Sequence, residues 1–134
     1  MNSRNLLWGG YAVFALAALY WDGTAKALSL ATPYGAAKPV IWLMLIAFLA
    51  YSAYSTFRES LPRTIGVLLR LYWGRQIGAD LYIGLLLFAG LIFLVHGSAL
   101  GAILWLAAIL VFGNLATLLY LALHFDAVVA KLIA

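Results

Sequence analysis

Four long apolar stretches divide the chain, at residues 5–22, 39–57, 79–95 and 98–123. Each is continuous rather than alternating, so none reads as a barrel strand, where lipid-facing and lumen-facing positions alternate. About 20 predominantly apolar residues carry a helix across the hydrocarbon core of a bilayer. Lipid offers no partners for peptide N–H and C=O groups, so helices that satisfy their own backbone are expected. The third stretch is short by itself, and its helix is expected to begin earlier, near Tyr72 or Gln76. The pattern predicts an all-α integral membrane protein, a single domain of four transmembrane helices in an antiparallel bundle.

The segments between the spans refine this picture. Between the second and third lies "RESLPRTIGVLLRLYWGRQIGAD". Ser60 is placed to cap a helix whose first turn tolerates Pro62. Arg63 and Arg70 are seven residues apart and share a helical face. This predicts a cytoplasmic interfacial helix at anionic headgroups, with Arg58, Arg63 and Arg70 as candidate contacts to lipid or a partner. The first connection, "GTAKALSLATPYGAAK", ends in a Pro-Tyr-Gly turn signal and is compatible with a short helix on the outer surface. The opening "MNSRNLLWGGYAVFALAAL" mimics a secretory signal, with Ala15 and Ala17 in cleavage-site spacing. The Gly-Gly pair and the following Tyr20-Trp21-Asp22 favour a retained span instead.

Composition agrees with lipid as the solvent. Of 134 residues, 67% are hydrophobic and 9% charged, against roughly 25% charged in soluble domains. So small a chain has too little interior to hide that much apolar surface from water. Without cysteine there is no disulfide, thiolate nucleophile or iron–sulfur site. The net charge of +4 marks membrane orientation rather than a nucleic-acid surface. Arg58, Arg63, Arg70 and Arg75 fall between spans two and three, whereas the first connection holds only Lys26 and Lys38. Basic loops stay in the cytoplasm. With Arg4 and Lys131 on the same side, the expected arrangement is N-in and C-in, in a bacterial inner membrane. Trp8 and Trp73 then form the inner aromatic belt, and Tyr20, Trp21 and Trp42 the outer one.

The candidate chemistry is sparse. "VFGNLATLLY" places Asn114 and Thr117 inside the last apolar run. With spans three and four packed antiparallel about a turn near Gly97, Asp80 comes to the depth of Asn114 and Thr117. At about 1.5 Å per residue, both lie roughly 25 Å from that turn. Gly113, Asn114, Thr117, Leu121 and His124 share one stripe of the helix, and Gly113 with Thr117 allows close helix approach. The candidate polar site in the membrane is therefore Asp80, Asn114, Thr117, Arg75 and His124. Asn114 is expected to bond across to Asp80, to a backbone carbonyl, or to Ser52 or Ser55, with Arg75 neutralising Asp80. Such a group is either interhelical glue or a pocket for a proton, ion or small polar ligand.

His96 and His124 are each able to ligate haem or a chlorophyll-type pigment. On a four-span layout they fall a membrane apart and cannot share one iron. No Gly-x-Ser-x-Gly, HExxH or phosphate loop occurs, and no acidic cluster has metal-ligand spacing. No enzyme is expected, and no metal site.

Asp80-x3-Gly84, then Trp105, then Gly113-Asn114-x-Ala116-Thr117-x2-Tyr120 resembles a pattern in small bacterial multi-pass inner-membrane proteins of the domain-of-unknown-function type. The similarity covers the last 55 or so residues and implies no activity. In length and span number the chain is also similar to small multidrug exporters, but the membrane-embedded Glu of their first span has no counterpart here. Three readings follow. The first is a structural or accessory subunit, packing against itself or within a larger membrane complex. The second is a small transporter or channel with its polar site at Asp80 and Asn114. The third is a haem- or pigment-binding subunit using His96 or His124.

Overall fold

The computed structural model describes residues 3–22, 28–31 and 34–133, and these form helices joined by short turns. The helices are α1 (Ser3–Asp22), α2 (Lys38–Arg58), α3 (Leu61–Leu68), α4 (Tyr72–His96), α5 (Ala99–Phe112) and α6 (Asn114–Ile133). A single 3-10 turn, Gly35–Ala37, leads into α2. Lys26 lies outside the described residues.

Local signals explain most of these boundaries. Pro39 sits in the first turn of α2 and Pro62 in that of α3, where a missing N–H costs nothing. Ser60 takes the extended N-cap conformation before α3 as expected, although its side chain makes no capping bond. α4 begins at Tyr72, as the short third stretch required, and stops at His96 because Gly97 adopts a left-handed φ of 67°. Ser98 then caps α5, its hydroxyl accepting from the Gly101 N–H.

Among the described residues, three helices are long and apolar enough to cross a membrane: α2 with its preceding 3-10 turn, α4, and α6. α1 has the length, but Arg4, Asn5 and Asp22 at its ends shorten its apolar run. Large apolar side chains such as Leu16, Leu43, Ile46, Leu87 and Leu94 point outward. In water that would be costly at roughly 25 cal/mol per Å²; against lipid tails it is not.

The predicted fourth span over 98–123 is not one helix. Gly113, at φ 60° and ψ −132°, interrupts it and separates α5 from α6. On a continuous helix Trp105 and Tyr120 would lie about 22 Å apart along the axis, yet their ring centroids are 4.9 Å apart. α5 and α6 therefore form a hairpin that folds back at Gly113. α5, with 14 residues, rises only about 21 Å and is too short to span a core roughly 30 Å thick.

The reversal makes α6 the centre of the molecule. Ala116, Leu119, Tyr120 and Leu123 are all buried, and they pack with Leu85 and Ile92 of α4 and Trp105 and Ile109 of α5. It also fixes the direction of α6. Arg4 and Trp8 sit against Phe57 and Thr56 at the end of α2, whereas Asp126 pairs with Lys38 at its start. α6 thus runs away from the end where the chain begins.

Candidate functional site

Three turns of α4 and two of α6 enclose a cavity of about 330 Å³. Asp80, Gly84 and Phe88 recur every four residues and face it from α4; Asn114, Thr117 and Leu121 face it from α6. The pairing of Asp80 with Asn114 and Thr117 at one depth, expected from the turn at Gly97, is present. The turn at Gly97 and the rise of α5 bring Asn114 to that level, and the reversal at Gly113 then sends Thr117 back along α4 instead of deeper.

Within the cavity the hydrogen bonds are local. The Thr117 hydroxyl lies 3.1 Å from the Asn114 carbonyl oxygen and 3.1 Å from its side-chain oxygen, and donates to that pair. Asn114 therefore closes the first turn of its own helix. The expected bond from Asn114 to Asp80, Ser52 or Ser55 is not made. Ser52 and Ser55 line a different cleft, and the Ser55 hydroxyl donates back to the Tyr51 carbonyl. Arg75 does not neutralise Asp80 either: its guanidinium carbon sits 4.7 Å from the centroid of the Tyr72 ring. Five residues on a helix turn through about 140° past a full revolution, which separates the two side chains. Asp80 and Asn114 are exposed and Thr117 is buried. The cavity thus presents a carboxylate and a carboxamide to whatever enters it, backed by Leu85, Phe88 and Leu118.

His124 belongs elsewhere. Its ring centroid is 5.6 Å from that of His96, so the two histidines share one end of the bundle instead of lying a membrane apart. The hairpin brings α6 back up to the top of α4, and the distance argument against joint ligation no longer applies. His124 stacks on Tyr120 at 4.3 Å, and Trp105 stands edge-on to both. The backbone at His124 leaves the helical region (φ −114°, ψ 21°), kinking α6 where the ring lies over Tyr120. His96 packs over Gly101, where any Cβ would collide with the imidazole. Next to this cluster is an ion pair: Lys38 Nζ is 2.8 Å from Asp126 Oδ2, and it also donates to the Ser29 carbonyl at 2.8 Å. Lys38 is 1% exposed.

Comparison with family models, curated proteins and solved structures gave no match. Function therefore has to be argued from these side chains. α6 carries Asn114, Thr117, Tyr120 and His124 on one stripe, from the Asp80 cavity at one end to the His96 cluster at the other. Phe88 lines the cavity and meets the Tyr120 ring edge-on at 6.0 Å, so an aromatic layer divides the two polar regions.

Lys38 and Tyr120 were missed as site residues in the sequence. In the sequence Lys38 counts only as one of the two lysines of the first connection. Tyr120 lies one turn from both Thr117 and His124, and that spacing was the available signal.

Proposed function

We propose that the protein is a small integral membrane transporter or channel that takes a small cationic solute, the proton included, at Asp80, Asn114 and Thr117. The observation that carries this is the shared cavity: Asp80 from α4 meets two polar residues of α6 in a pocket otherwise walled by hydrocarbon. Asp80 is eight residues into α4, about 12 Å along its axis, and ionisable groups at such depth are rare and commonly functional. Phe88 and Tyr120 are then the barrier to be crossed, with His124 and His96 beyond it.

Proteoliposomes test this through pH-sensitive dye or cation flux. Asp80→Asn is expected to lower flux by about tenfold or more, since a carboxylate bond to a cation contributes 1.5–3 kcal/mol. Gly84→Leu is expected to block it as well. A Cβ at Gly84 meets nothing within 4 Å, so the larger side chain fills the cavity without striking backbone. Wild-type vesicles that pass protons, sodium, potassium and ethylammonium no faster than empty ones would overturn the reading.

A second reading, an accessory subunit or homo-oligomer, is favoured by the broad apolar faces of α2 and α4, each only 11% buried over its most apolar window. Native mass spectrometry from the source membrane separates the two: a fixed foreign polypeptide supports the subunit.

The orientation we infer is a bacterial inner membrane with the Arg-rich end in the cytoplasm. Arg4, Arg58, Arg63, Arg70 and Arg75 gather there, and Lys38 and Lys131 lie on segments at or leading to the other end. In place of N-in and C-in, this puts the C-terminal end of α6 outside. The chain has no native cysteine, so single cysteines report cleanly. Arg63→Cys is expected to be shielded from an impermeant maleimide in intact cells, and Lys131→Cys to react. Labelling of both from one side would refute the layout.

A further inference from the structure

A second cavity, about 610 Å³, shares no lining residue with the first. It is a cleft between the start of α1 and the end of α2, overhung by α3 and floored by the α5–α6 corner. Trp8 Nε1 donates to Thr56 Oγ1 at 3.1 Å and ties α1 to α2 there. The Tyr11 hydroxyl donates to the Leu115 carbonyl at 3.2 Å and closes the floor. The walls are apolar, with Leu7, Phe48, Phe112 and Leu115 among them.

Its polar lining is cationic in balance. Arg4 and Arg58 both line the cleft, and among the described residues neither is in a salt bridge. Each guanidinium instead rests near an aromatic ring, Arg4 at 5.5 Å from Phe57 and Arg58 at 6.0 Å from Tyr54. Glu59 also lines it, but accepts from the Thr64 hydroxyl at 3.2 Å, within its own turn. Two arginines on the lining of a cleft with largely hydrocarbon walls match a molecule with an anionic head and an apolar tail. The volume falls in the range of roughly 300–1,000 Å³ typical of ligand sites. Arg63 and Arg70, expected as lipid contacts from sequence, do not line the cleft; Arg4, unforeseen, does.

We propose that this cleft holds one anionic phospholipid, its phosphate between Arg4 and Arg58 and an acyl chain against Phe48, Phe112 and Leu115. A free phosphate would use the arginines and leave the apolar walls idle. Arginine suits the head because its planar fork meets phosphate oxygens in pairs.

The test is native mass spectrometry of delipidated protein titrated with phosphatidylglycerol and with phosphatidylcholine of the same chains. The unchanged protein is expected to keep one phosphatidylglycerol against a tenfold excess of phosphatidylcholine, and millimolar inorganic phosphate is expected not to displace it. Arg4→Gln with Arg58→Gln is expected to weaken that retention by about tenfold or more. Arg63→Gln with Arg70→Gln, at the same end but outside the cleft, is expected to leave it unchanged. No headgroup preference in the unchanged protein would overturn the proposal. So would displacement by phosphate alone, or equal losses in the two double variants, which would mean general surface attraction.

Discussion

Asp126→Leu is expected to destabilise the folded protein by about 3–5 kcal/mol, and Lys38→Met by clearly less. Breaking a buried ion pair is costly because the surviving charge stays in a poor solvent. The two partners differ in what they are left with. The Lys38 side chain is 2% exposed and that of Asp126 32%. Removing Lys38 leaves a carboxylate on a partly exposed side chain; removing Asp126 leaves an ammonium held by the Ser29 carbonyl inside the protein. The double variant Lys38→Met with Asp126→Leu is expected to recover much of the loss, since well-packed hydrocarbon replaces a buried pair at little or no cost. Chemical unfolding in mild detergent measures all three. Equal losses for the two single variants would place the pair in solvent and remove it as a clamp between the start of α2 and the end of α6.

The helices were legible in the sequence because lipid leaves the backbone no alternative, and because Pro39, Ser60, Pro62 and Gly97 punctuate the chain by local rules. The depth match between Asp80 and Asn114 was legible for the same reason: it needs only a turn at Gly97 and a fixed rise per residue. Gly113 was the point of failure. It lies inside "ILVFGNLAT", where hydropathy alone favours continuation, and a single glycine in an apolar helix is as often a packing notch as a break. What decides between them is a tertiary gain, the packing of the Trp105, Tyr120 and His124 rings against one another, which no local window contains. The placements of His124 and Asp126 both turn on that reversal. His124 lies beside His96 and Asp126 pairs with Lys38 only because the chain folds back there. Arg75 failed for a smaller reason, the helical angle between positions five apart.

Gly113→Val is therefore expected to have an effect far beyond its volume. The native φ of 60° with ψ of −132° is essentially a glycine conformation, and a β-branched residue there carries strain of about 1–3 kcal/mol. A Cβ at this position meets no atom within 4 Å, so crowding does not explain any loss; the backbone does. The strain is relieved by letting α5 run straight into α6 as the single 98–123 span that hydropathy favours. That relief separates Trp105 from Tyr120 and His96 from His124, and it carries Lys131 to the opposite face of the membrane. Two measurements read the outcome. A cysteine at Lys131, expected to be labelled from outside in the otherwise unchanged chain, is expected to become shielded in the Gly113→Val background, or the protein to lose its folded population in detergent. Gly113→Ala, which keeps helical propensity without branching, is expected to shift the same equilibrium part of the way. If Gly113→Val left both the labelling side and the melting temperature unchanged, the turn at residue 113 would not be what folds the chain back.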